Sequence, residues 1–267
     1  MKRRHTLLRL VAATASLTGP VIAGAVQRRS LADPLRLAAD EALVDSGLGP
    51  LLVRSFGQDT GVAVRLLRGR ASSILEALER GEHDAGLTNA PEAEAPLEKQ
   101  GLVHDRRTVV RSEVIVVGPA ALAKPLAAGH DVGLALSRLA NSETRFVSRP
   151  DGSGTHLAEL AAWRAARTAP AGAWYQQPPA DLPLLAQAHE RNACTIVERG
   201  VWAATAGVKG YAVLADGDAR LAIDVHVMRS FRADPAHPAG KLFVAWISSE
   251  KGRALAAAHR GYGPASG

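Results

Sequence analysis

From Pro34 onward the chain alternates short apolar, strand-like runs with amphipathic, helix-like runs, and this rhythm constrains the fold most. Residues 34–39 read as a strand and 47–56 as a helix. A β-branched run follows at 61–67, then a helix at 72–80 that stops at Gly81, a natural C-cap. Residues 84–88 and 109–117 read as further strands, the second broken by Arg111, Ser112 and Glu113 and ended by Gly118-Pro119. A second unit opens with a strand at 145–148 and a helix at 155–167. It continues through a Pro-rich link at 178–183, a helix at 184–191, a strand at 193–197 and a helix after Glu198. A strand at 222–228 and helices at 240–247 and 249–259 close the chain. Strand–helix–strand units of this kind imply mostly parallel sheets covered by helices on both faces. Two such units with a return to the first predict two lobes: residues 33–118 with 207–267, and residues 119–206. Ligands of such α/β sheets lie at the carboxyl ends of the strands, here in a cleft between the lobes.

The net charge of +6 suggests nucleic acid until its location is considered. Residues 1–32 carry Lys2, Arg3, Arg4, Arg9, Arg28 and Arg29 and no acid, which accounts for all of it. No basic stripe with interleaved aromatics is left, so a nucleic-acid partner is not expected. The same segment has the layout of a secretory signal: a basic start, a mostly apolar stretch at 6–22, then Ala23-Gly24-Ala25 or Ser30-Leu31-Ala32 as cleavage site. Arg9, Gly19 and Pro20 interrupt the stretch, which favours a cleaved signal over a membrane anchor. Arg3-Arg4 leaves the Sec and twin-arginine routes both open. Cys194 is the only cysteine, so no intramolecular disulfide can form, and its apolar neighbours Ala193 and Ile196 mark it as a core thiol. A free, monomeric protein of the periplasm is expected.

Three helix starts share a character: Asp45-Ser46-Gly47, Ser72-Ser73 and Asp151-Gly152-Ser153-Gly154-Thr155. A helix N-terminus offers unsatisfied N–H donors and a partial positive charge, so it can hold an anion without a neutralising side chain. Arg149, just ahead of the third start, adds a planar cationic fork suited to oxyanions. For any one of these hydroxyls an ordinary N-cap is the commoner role. Ser153, His156 and Asp151 do not make a hydrolase triad, because Gly152-Ser153-Gly154 lacks the wider glycine spacing of a nucleophile elbow. The histidines show no metal-ligand spacing. Neither an enzyme, nor a metal, nor a cofactor is expected.

Several segments in order carry a family likeness: Asp45-Ser46-Gly47-Leu48, Asn89-Ala90-Pro91-Glu92-Ala93-Glu94, Val114-Ile115-Val116-Val117-Gly118-Pro119, and Phe146 through His156. Glu159-Leu160-Ala161-Ala162-Trp163, Trp174-Tyr175 and Thr195-Ile196-Val197-Glu198-Arg199-Gly200 continue it. With these segments the chain resembles the periplasmic tungstate-binding proteins of ABC transporters, relatives of the molybdate binders. The resemblance implies a type II periplasmic binding protein that hands a small oxyanion to a permease in the inner membrane. It implies ligand contacts from Arg149, Ser153, Gly154 and Thr155 in the second lobe and from Ser46, Ser72, Ser73 and Arg70 in the first.

The first-lobe half departs from the family. Where the family has three threonines and a serine after the first strand, this chain has Ala39-Asp40-Glu41-Ala42. Residues 180–182, 223–226 and 68–73 depart as well. A carboxylate about 4 Å from a dianion costs several kcal/mol at a protein-like dielectric. Two accounts fit. Either Arg68 or Arg70 neutralises Asp40 or Glu41 and the cleft binds an anion of different shape, or the cleft takes a different ligand, one with a positive group included, as a transport or sensor protein.

Overall fold

The computed structural model describes residues 30–179, 182–232 and 236–265. The expected signal segment as far as residue 29 and the altered pair 180–181 lie outside them. The elements run β1 (Leu35–Asp40), α1 (Glu41–Asp45), α2 (Leu48–Thr60), β2 (Val64–Gly69), α3 (Ala71–Arg80), β3 (Ala85–Thr88), α4 (Pro91–Lys99) and β4 (Val103–Pro119). There follow α5 (Val132–Asn141), β5 (Phe146–Val147), α6 (Gly154–Ala165), β6 (Tyr175–Gln176), α7 (Leu184–Glu190), β7 (Thr195–Glu198) and α8 (Arg199–Ala204). The chain ends with β8 (Tyr211–Ala215), β9 (Ala222–Ser230), α9 (Gly240–Ile247), α10 (Glu250–Ala257) and β10 (Tyr262–Gly263).

One curled sheet has the order β10-β4-β9-β3-β1-β2, and β7 and β8 pair with the far half of β4. The expectation of mostly parallel sheets holds for β2, β1 and β3 and for the pair β5–β6. It fails for β4 and β9, which run antiparallel to their neighbours. The physical reason is that the two strands connect the halves, one leaving and one returning, so they lie side by side in opposite senses.

β4 is also unbroken. Its residues 103–113 pair with β9, and 114–119 pair with β7 and β8. The polar trio Arg111, Ser112 and Glu113, expected to interrupt the strand, stands where it changes partners, so it is a crossing and not an end. Residues 211–215 likewise sit beside β4 in the second sheet. The change of sheet therefore falls near residues 113 and 222, inside the expected limits of the first lobe.

Alternation sorts the strands onto two faces, the two-residue period of an extended chain. Leu35, Leu37 and Ala39 of β1 face a core with Leu48, Leu52, Phe56 and Phe243 from α2 and α9. Ala38, between them, faces Ile74, Leu75 and Leu78 of α3. In β4, Val114 and Val116 join Leu136, Phe146 and Trp163, while Ile115 and Val117 join Leu185 and Val197. Both sheets are thus covered on both faces. Phe146 lies edge-on to Trp163 at 5.3 Å and stacks on Tyr175 at 5.8 Å in the second core, while Phe56 lies edge-on to Phe243 at 5.0 Å in the first. Cys194 is fully buried there, and burial pushes its thiol up to about 12. No helix among the described residues is long and apolar enough to cross a membrane.

Candidate functional site

The two halves meet where β1, β3 and β7 end and α1, α3, α6 and α8 begin. Asp40 closes β1 and caps α1: its Oδ1 accepts from Ala42 N at 3.0 Å. Its Oδ2 accepts at 3.0 Å from Ala71 N, the first residue of α3, and at 3.0 Å from Gly154 N, the first residue of α6. Three N–H groups from segments far apart in sequence converge on one carboxylate that is 0 % exposed. Burial pushes this carboxyl up to about 6, against the pull of the N–H groups of Gly154 and Ala42.

Glu41, the next residue, is buried as well and receives Arg68 Nη1 at 2.7 Å and the Arg149 guanidinium. Arg149 also holds Asp151, and Arg70 Nε approaches Asp151 at 3.9 Å. Burial works against the Asp151 carboxylate, but the Ser153 N–H and hydroxyl and the Arg149 charge hold it below its ordinary value. The account in which an arginine neutralises an acid of the altered loop is met at Glu41. Asp40 takes no cation among the described residues; backbone donors hold it.

Glu198 comes from the end of β7 and is 1 % exposed. It accepts from the Asn89 amide, from Ser112 Oγ at 2.8 Å and from Thr155 Oγ1 at 3.4 Å. Burial and then the Asp40 charge push it up to about 8, so it carries a proton at neutral pH. Tyr262, raised by burial and then by Glu198, pairs its hydroxyl with Ser46 Oγ at 2.7 Å. Glu159 accepts from Tyr175 Oη at 2.8 Å and Trp163 Nε1 at 3.1 Å, and burial pushes it up to about 7.

Beside this network lies a cavity of about 370 Å³. Its lining combines polar side chains, Glu41, Arg68, Arg149, Ser153, Thr155 and Glu198, with apolar ones, Leu184, Leu185, Val197 and Val201. Of the residues predicted from sequence, Arg149, Ser153 and Thr155 line it. Gly154 gives its N–H to Asp40 instead. Ser46 lies off the cavity, between the end of α1 and the start of α2, where its hydroxyl accepts from Leu48 N at 3.5 Å and pairs with Tyr262. Ser72 and Ser73 sit inside α3, whose first residue is Ala71, so neither caps it. Ser72 N donates to Gly152 O at 3.1 Å and Ser73 faces solvent. Arg70 is exposed and approaches Asp151. The sequence reading left Asn89, Glu198 and Tyr262 without a role. The signal for Glu198 was an acid closing an apolar strand directly ahead of a helix. No group of three or more His, Cys, Asp and Glu among the described residues could hold a metal ion.

Two lobes built on crossing strands, with helix starts facing a cleft, define the binding-protein class of fold. The chain belongs to the PBP superfamily, whose domain matches residues 27–251. It is 28 % identical over 244 residues to the tungstate-binding protein TupA of Peptoclostridium acidaminophilum, covering 87 % of this chain and 83 % of that one. The solved tungstate ABC transporter protein of Geobacter sulfurreducens superposes with a TM-score of 0.76 at 25 % identity, over 85 % of this chain and 98 % of that one. The tungstate-binding protein TupA of Desulfovibrio alaskensis G20 gives 0.73 at 25 % identity, over 88 % and 100 %.

Proposed function

We propose that this chain is the solute-capturing component of an ABC transporter, acting outside the cytoplasm and handing a small oxyanion of the tungstate or molybdate type to a membrane permease. The observation that carries the reading is the cavity lined by Arg149, Ser153 and Thr155 at the junction of two sheets. Arg149 supplies a permanent charge, α6 supplies N-terminal donors, and Ser153 and Thr155 supply hydroxyls for the remaining ligand oxygens. The two lobes are residues 33–113 with 222–267, and residues 114–221, joined at the crossing of β4 and β9. Rotation about that crossing would admit and release the solute. No residue is assigned a chemical step. The N-terminal segment, cleaved after Ala25 or Ala32, serves as the export signal, and the mature protein works as a monomer.

The test is a thermal-shift screen of the mature protein with tungstate, molybdate, sulfate and phosphate, followed by titration calorimetry on Arg149→Ala. A ligand at a hundred times its dissociation constant stabilises by about 2.7 kcal/mol, so a bound anion shows plainly as a higher melting temperature. Arg149→Ala should abolish that shift while the protein remains folded. Undiminished binding by the variant would remove Arg149 from the site and the reading with it.

A further inference from the structure

We infer that Asp40 is a built-in rival for the captured anion: its carboxylate occupies the N–H donors at the starts of α3 and α6 that an oxyanion in the cleft would use. The inference rests on the cleft-binding reading above and adds what sets affinity at that cleft. Capping α1 requires of Asp40 only the bond to Ala42 N. Its second oxygen does something a cap does not, joining Ala71 N of a ten-residue helix to Gly154 N of a twelve-residue helix on the opposite lobe. A fully buried carboxylate held by backbone donors, with no cation on it among the described residues, is held as a mineral oxyanion would be. Asn89 places a second acceptor at this locus: it is 1 % exposed, its Oδ1 has no hydrogen-bond partner, and an amide oxygen opposes an anion as the Asp40 carboxylate does. That oxygen lies directly against Gly154, within 1.8 Å of where a Cβ on the glycine would stand.

The cavity lies next to this locus. Glu41 and Ala42, which follow Asp40, line it, and so do Ser153 and Thr155, which flank Gly154. An anion drawn in by Arg149 therefore meets the Asp40 charge beside the same donors. It must displace that carboxylate or bind without the Ala71 and Gly154 N–H groups. Asp40 thus raises the threshold for capture and, by joining the lobes itself, holds the cleft in the shape a bound anion would give it.

Asp40→Ser tests this, because serine keeps an oxygen to cap α1 while removing the charge and freeing the other two donors. Calorimetry with sodium tungstate at pH 7.5, on folded protein checked by circular dichroism, should show the variant binding about a hundredfold tighter than the unaltered chain. Asp40→Asn, closer in shape, should tighten binding about tenfold and serves if the serine variant does not fold. Equal or weaker binding by the folded variants overturns the inference, and so does an absence of binding by all of them. The Arg149→Ala result is read separately. Binding by the unaltered chain that depends on Arg149 but is unmoved by Asp40→Ser leaves the proposed function standing and removes only the rival.

Discussion

The two walls of the cleft are built from the same kind of element, a helix start following a strand end, and they carry opposite chemistry where Arg149 and Gly154 meet Glu41 and Asp40. The second-lobe wall brings donors: the guanidinium of Arg149, the Gly154 N–H and the hydroxyls of Ser153 and Thr155. The first-lobe wall brings acceptors: the carboxylates of Asp40 and Glu41, both buried, with the Ala71 N–H spent on the first of them. Each wall therefore meets the other's needs. A donor contributes to ligand affinity only after the protein group it already serves has been displaced. Reading residue types along one wall tells what could bind; reading both walls together tells what binding must displace.

The contrast between the walls can be pressed hardest at Glu198, the acid that the second wall sends across to Asn89. Its carboxyl is pushed from 4.5 to about 8, so the folded state holds a proton that the unfolded state gives up above pH 4.5. The stability associated with this group is present at low pH and is lost as the pH rises toward 8, at up to about 1.4 kcal/mol per unit. Asp40, raised to about 6, and Glu159, raised to about 7, act in the same direction. Glu198→Gln fixes the neutral form, so the unaltered chain should lose melting temperature between pH 5 and pH 8 more steeply than the variant. Parallel curves over that window would mean that Glu198 is ionised in the fold.

A smaller effect is expected where the walls touch. A methyl group on Gly154 runs into the Asn89 amide, which is buried and bonded to Glu198. Gly154→Ala should destabilise by about 2 kcal/mol, measured by urea titration, because one wall must retreat from the other. A neutral result would show that the walls part without cost. The smallest effect is expected at the rim, where Arg164 of α6 meets Glu92 of α4 at 2.9 Å with both side chains largely exposed. Arg164→Ala should change stability by less than about 0.5 kcal/mol. A loss several times larger in the same titration would place the lobe contact at the surface and not in the buried network.

Much of the architecture was legible in the sequence because it rests on period and punctuation. The pattern of residues 34–39 and the helix closed by Gly81 reappear as β1 and α3, and the helix expected at 240–247 is α9. What escaped lacks a period. α1 has five residues, too few to show an amphipathic repeat, and α4 contains Pro91 and Pro96, which weaken a helical pattern. β4 was read as broken because a strand that changes sheets must change its burial pattern midway. For the candidate site, Arg149, Ser153 and Thr155, named from residue type and position, line the cavity. Their partners were not. Two adjacent acids after a strand suggest a solvated turn, and only the approach of α3 and α6 in three dimensions makes Asp40 an interior group. The serines of the first lobe failed for a related reason: helix register, set by Ala71, carries Ser73 to the outside.

The strand order of the first sheet also fixes the sequence of events by which the chain can assemble. β9 lies between β3 and β4, although more than a hundred residues separate it from either. Until residue 230 has left the ribosome, β3 and β4 cannot become part of one sheet, and Leu87, Val109 and Val110 lack the Val225 and Val227 that complete their core. Closing so long a loop is slow compared with making a helix. The first core is therefore completed only when the segment ending at residue 230 returns to it, through contacts distant in sequence.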